Sequence, residues 1–169
     1  MHNSPGIPVG HFAIRPGPLL ASSDEFEIVV TGKGGHAAAP HEAVDTTLVA
    51  AQIVVALQSV VSRNVNPVRP AVVTVGTFQT DSNASNVIAH SVRMEGTVRT
   101  LATEVRAQAE ERIRALCEHT ASAYGATAEV IWTPGYPVTV NHSDQTAFAV
   151  EAARAVSDHV DDDTDPILP

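Results

Sequence analysis

The chain has 169 residues, 44% of them apolar, with 19 acidic and 10 basic side chains and a formal charge of −9. That size suits one ordinary domain, or one complete domain carrying pieces of another. A single cysteine, Cys117, excludes a disulfide framework and a cysteine zinc ribbon, and the acidic balance argues against a general nucleic-acid binder, which needs clustered Lys and Arg.

The first 24 residues, with Pro5, Pro8, Pro16 and Pro18 interleaved with Gly6, Gly10 and Gly17, read as an extended crossing segment without a core face of its own. Glu25–Thr31 alternates as a half-buried strand does, with Phe26 and Ile28 on one face, and Gly32-Lys33-Gly34-Gly35 ends it. From Val44 to about Arg63 the spacing predicts a helix with one line through Val44, Leu48, Ala51, Val55 and Gln58, which Leu57 and Val61 widen into an apolar stripe. Ala71–Phe78 is β-branched and short, a second strand, and the polar loop Gln79–Ser85 leads to a third, Val92–Arg99, with Val92, Met94 and Val98 facing one way. Thr103 is placed to cap a second helix, with Glu104 where the macrodipole favours an acid. Its inner line is Val105, Ala109, Ile113, Leu116 and Thr120, and Gly125 sits where a C-terminal glycine belongs. Ala126–Trp132 reads as a fourth strand, Ser143 to Val156 as a short amphipathic helix, and the acidic tail from Asp158 as frayed.

Strand, helix, strand, strand, helix, strand is the split βαβ order, so the expected fold is α+β and ferredoxin-like, with a four-stranded antiparallel sheet. Two helices cover one face of such a sheet, leaving the other face and an open edge that call for a partner. No apolar run approaches the roughly 20 residues that span a bilayer, and no signal segment opens the chain, so a soluble cytoplasmic protein is expected, with no membrane or nucleic-acid partner.

The densest chemistry lies at Gly34-Gly35-His36-Ala37-Ala38-Ala39-Pro40-His41-Glu42-Ala43-Val44-Asp45. His36, His41, Glu42 and Asp45 carry metal-binding donors, but Pro40 separates the histidines and an i, i+5 spacing does not share a helix face, so a self-contained metal site is the minor reading beside a loop-packing His. Asn86, ahead of Val87-Ile88, reads equally as a turn amide, and Arg99 as a surface cation or as a bidentate carboxylate anchor.

Taken together, the Gly34–His41 run, Ser62-Arg63-Asn64-Val65-Asn66-Pro67, Asn86-Val87-Ile88 and Gly96-Thr97-Val98-Arg99-Thr100 resemble the dinuclear-metal amidohydrolases. They are most similar to the hippurate hydrolase and N-acyl-amino-acid amidohydrolase branch, which belongs with the zinc-dependent carboxypeptidases and aminoacylases. Met1-His2-Asn3-Ser4-Pro5-Gly6, Arg15-Pro16-Gly17-Pro18 and Gly135-Tyr136-Pro137-Val138-Thr139-Val140-Asn141-His142 match as well, so the resemblance covers residues 1 to about 157.

The resemblance implies an α/β catalytic domain holding two divalent ions, zinc or manganese, interrupted by a lid that also forms a homodimer. It divides this chain into a catalytic-domain remnant at 1–22, the lid and dimerisation domain at 23–133, and a return segment with a frayed tail at 134–169. On that basis His36 matches a lid histidine that reaches a neighbouring protomer's site and polarises the scissile carbonyl, and Asn86 helps hold the same group. Arg99 matches the anchor for the carboxylate of a small N-acyl amino acid, and His2 a metal ligand. Ala89 stands where the family usually has proline. The family's other metal ligands and its general base fall outside this chain, so the resemblance predicts that the chain alone binds no metal stably and is inactive, its missing catalytic domain being a partner. A non-catalytic ferredoxin-like dimerisation module is the alternative.

Overall fold

Alternating side chains build a sheet whose two faces have opposite character. The computed structural model describes residues 2–168 and contains, in chain order, β1 (Phe12–Ala13), β2 (Gly17–Leu20), β3 (Asp24–Thr31), β4 (Gly35–His36), α1 (Thr46–Ser59), β5 (Ala71–Thr80), β6 (Val87–Ile88), β7 (Ser91–Thr100), α2 (Thr103–Ala123), β8 (Thr127–Pro134), β9 (Thr139–Asn141), α3 (Ser143–Arg154) and β10 (Val160–Asp161). The order β5-β7-β3-β8, antiparallel throughout, is the expected ferredoxin-like sheet. Phe26, Ile28 and Val30 of β3 and Val92, Met94 and Val98 of β7 face α1 and α2 and are buried with them. The opposite face is open to solvent in the single chain, with Ile131 exposed on it. It carries Glu27, Arg93 and Glu95, with Arg93 Nη2 at 2.8 Å from Glu27 and 2.9 Å from Glu95, a solvated charged surface.

Helix α1 forms where expected, but its buried line is different. Thr46, Val49, Ala50, Ile53 and Leu57 are buried, whereas Leu48 and Val55 are exposed. The run Leu48–Leu57 is apolar nearly all round, so periodicity leaves the rotation of the helix open and contact with the sheet decides it. Asp45 caps α1, accepting the Thr47 and Leu48 N–H groups at 3.0 and 3.1 Å, and a π-helical turn, Val60–Asn64, ends it. With that turn the helix spans 19 residues at mean hydropathy 1.3, enough by length and composition alone to cross a membrane, contrary to the expectation that no run approaches that length. Here packing against the sheet accounts for one face of it.

In α2 the buried line continues from Ile113 to Cys117 and Ala121, one position beyond the Leu116 and Thr120 expected. Thr103 is the first helical residue rather than the cap; Ala102 occupies the cap without a side-chain bond. Gly125, at φ +75°, ends α2 as expected. The Gly125 N–H bonds to the Ser122 carbonyl and the Ala126 N–H to that of Ala121, the paired bonds of a Schellman motif.

The flanking segments pair with each other. β2 runs antiparallel to β9, β1 runs parallel to β10, and Leu20 bridges Ile167. The His11 and His159 rings stack at 4.2 Å across the β1–β10 pair. Residues 158–168, expected as a frayed tail, thus lie along the N-terminal segment, and Arg15 Nη1 donates to the Thr164 carbonyl at 2.8 Å.

Candidate functional site

The glycines after β3 let three segments converge. A Cβ on Gly32 would lie 2.8 Å from the Thr46 methyl and 2.9 Å from the Val44 carbonyl, and one on Gly34 would lie 3.0 Å from the Ile88 carbonyl. Only glycine permits that approach, and it brings β4 against β6 in a two-stranded ribbon, pairing Gly35 with Ile88 and His36 with Val87. The Ala37 N–H donates to the Asn86 carbonyl at 2.9 Å, so the ribbon carries both His36 and Asn86, each exposed to solvent.

His36 has a defined polarity. Its Nδ1 accepts the Ala38 N–H at 3.1 Å, which in the neutral ring assigns the proton to Nε2 and leaves that nitrogen as a donor. The ring borders a shallow open depression of about 550 Å³ lined also by Gly34, Asp81, Ser82, Val87 and His90.

Arg99 stands elsewhere. It lies eight residues along β7 from Ser91, roughly 27 Å at about 3.4 Å per residue, at the end of the sheet where the chain enters and leaves it. There Arg99 Nη1 donates to Ser23 Oγ. The structure therefore brings His36 and Asn86 together and separates Arg99 from both within one chain.

Sequence reasoning missed the groups that hold these positions. Around Arg99 the buried Asp24 carboxylate takes Nε and Nη2 of Arg106 at 2.7 and 2.5 Å and the Gly135 N–H at 3.1 Å. Ser22 Oγ contacts Thr100 Oγ1 at 2.9 Å. Around the ribbon, Asp81 and Thr46 bond loop backbone, and no sequence spacing announces partners of that kind.

His2 is exposed, and among the described residues no three His, Cys, Asp or Glu side chains gather as a metal group. The minor reading of a site from His36, His41 and Asp45 does not assemble among the described residues, and Asp45 is engaged as the α1 cap. The side chains present here do not by themselves fit a dinuclear centre.

The M20 peptidase dimerisation domain matches residues 21–125. N-acetylcysteine deacetylase from Bacillus subtilis is 45% identical over 153 residues, 90% of this chain and 40% of that protein. Thermostable carboxypeptidase 2 from Saccharolobus solfataricus is 37% identical over 169 residues, 99% of this chain and 42% of that protein. The crystal structure of a dinuclear metal binding peptidase of the M20 family from Bacillus subtilis superposes with a TM-score of 0.71 at 34% identity, over 98% of this chain and 41% of that one. The chain thus spans about 40% of the length of the curated relatives it matches.

Proposed function

The chain belongs to the M20 peptidase family through that family's dimerisation domain, and from this premise we propose that it is the lid and dimerisation segment of an amidohydrolase that cleaves N-acyl amino acids. The observation that carries the reading is His36, an exposed imidazole whose Nδ1 is tied back to the Ala38 N–H so that Nε2 is presented outward as a donor. When a nucleophile attacks an amide carbonyl, negative charge grows on the carbonyl oxygen, and one preorganised donor aimed there contributes about 2.7–4 kcal/mol. Asn86, joined to the same ribbon, holds the same oxygen, and Arg99 takes the substrate carboxylate in a two-pronged bond.

Arg99 lies roughly 27 Å along β7 from Ser91, the strand end that the ribbon adjoins, which exceeds a small substrate, so on this reading one active site draws His36 and Asn86 from one copy and Arg99 from another. His2 gives one imidazole to a divalent ion, zinc or manganese, whose remaining ligands lie in the part of the relatives that this chain does not span.

The dimer is assigned to α1 and the edge of β5. Leu48 and Val55 form an uncovered apolar face on α1, and α1 lies next to β5, an edge strand of the sheet. The other edge, β8, is blunted, since Arg114 reaches from α2 to bond the Val130 carbonyl at 2.6 Å.

The test is a chimera in which residues 21–125 replace the corresponding segment of the Bacillus subtilis N-acetylcysteine deacetylase. Hydrolysis of N-acetyl amino acids is expected. His36→Ala should lower kcat by about 10²–10³-fold, and Arg99→Ala should chiefly raise KM. Full kcat after His36→Ala would reject the catalytic reading in favour of a dimerisation module without catalytic residues.

A further inference from the structure

The loop that carries Asn86 leaves β5 at Thr80 and enters β7 at Ser91, long enough to wander, yet one side chain closes its base. Asp81 Oδ1 accepts the His90 N–H at 3.1 Å, and Oδ2 accepts the Ser91 N–H and the Ser91 hydroxyl, each at 3.1 Å. The Asp81 N–H returns a bond to the Ser91 carbonyl at 3.2 Å. A carboxylate shared among backbone donors makes charge-assisted bonds, stronger than neutral ones and fixed in direction. A second tie comes from beneath. Thr46, fully buried at the start of α1, donates its hydroxyl to the Ala89 carbonyl at 2.8 Å. Between these ties, the His90 carbonyl takes the Gly32 N–H at 3.0 Å, so the loop is joined to the segment that leads into His36.

We propose that Asp81 and Thr46 are positioning residues that clamp the 81–90 loop to the sheet and to α1, and so set Asn86 beside His36 on the β4–β6 ribbon. Neither residue carries a reacting group. Asp81 fixes the loop at its base and Thr46 fixes it at Ala89, which leaves the Asn86 carbonyl where the Ala37 N–H can meet it. Its catalytic significance rests on the role given above to His36 and Asn86; the clamp itself does not.

The experiment is amide hydrogen exchange by NMR on the full chain, together with the ¹⁵N shifts of the His36 ring, for the wild type, Asp81→Asn, Asp81→Ala and Thr46→Val. Asp81→Asn keeps one acceptor oxygen and loses the other, so exchange at Ala37, His90 and Ser91 should rise in the order wild type, Asn, Ala. The last step should reach about tenfold or more, while Ile28 and Met94 in the sheet stay protected. Thr46→Val should speed Ala37 in the same way. The His36 ring shifts should move away from a single Nε2–H tautomer in Asp81→Ala, a change that loss of general stability would not produce selectively. Equal Ala37 exchange in the wild type, Asp81→Asn and Asp81→Ala, unmoved His36 shifts, or loosening spread evenly over the sheet would overturn the proposal. An inactive chimera with this exchange pattern intact would reject the enzymatic reading while upholding the clamp.

Discussion

Asp24 and Arg106 form a two-pronged ion pair, 2.7 and 2.5 Å, in which the carboxylate has no solvent exposure at all. The same carboxylate holds the Gly135 N–H, and Arg106 Nη2 reaches the Gly135 carbonyl at 3.1 Å, so one pair fastens the strands by which the chain enters and leaves the sheet. Removing Arg106 leaves a buried carboxylate without its cation. Arg106→Ala should therefore lower the unfolding free energy by about 3 kcal/mol, read from urea denaturation. The bond to Asp24 is the chief cause that raises Arg106 above its ordinary value. A raised cation keeps its contribution below its unfolded pKa and loses it only above, so the guanidinium adds no pH dependence near neutrality.

Gly96, two residues before Val98 in β7, faces the core directly opposite Phe26. A Cβ there would lie 2.2 Å from Phe26 Cζ and 2.3 Å from the Thr74 carbonyl. Gly96→Ala should cost about 3 kcal/mol in the same denaturation assay, because neither the ring, stacked on Trp132, nor the strand can give way cheaply. Phe26→Leu in that background should recover only part of the loss, since the Thr74 carbonyl remains in the way.

The sheet was legible because β3 and β7 alternate cleanly, and α2 was legible as far as Ile113 for the same reason in helical period. The rotation of α1 was not, because a helix apolar on every side fits the core in more than one phase. Its actual choice leaves Leu48 and Val55 outward. His36 stands out after the twin glycines and Asn86 ahead of Val87-Ile88, but only the family resemblance joins them as a candidate site. Asp81 and Thr46 could not be found that way, because their partners are the backbone of Ala89, His90 and Ser91, which no residue pattern encodes. Arg99 is set apart from the ribbon because it stands at the far end of β7 from Ser91, a placement that motif matching ignores.

The outward face of α1 predicts the oligomeric state. Val55 is 66% exposed, so Val55→Lys should leave the fold intact while placing a charge in the proposed interface. Sedimentation velocity should show the dimer weakened by about tenfold or more. Phe148→Lys on α3, at a residue 73% exposed and away from the lid, should leave the dimer unchanged. Equal behaviour of the two variants would count against the α1 surface.

Cys117 predicts an alkaline limb in stability. It sits fully buried in the core between α2 and the sheet, and desolvation pushes its thiol from 9.0 to about 12. The folded chain then holds this proton more tightly than the unfolded chain does. The contribution is complete below the unfolded thiol value and falls as pH rises from about 9 towards 12, by at most about 1.4 kcal/mol per pH unit. The informative quantity is the difference between the wild type and Cys117→Ala. The variant should show a shallower loss of stability above pH 9, and at neutral pH the native thiol should resist alkylation until urea unfolds the chain. Rapid alkylation of the folded protein would mean that α2 opens far more readily than its packing implies.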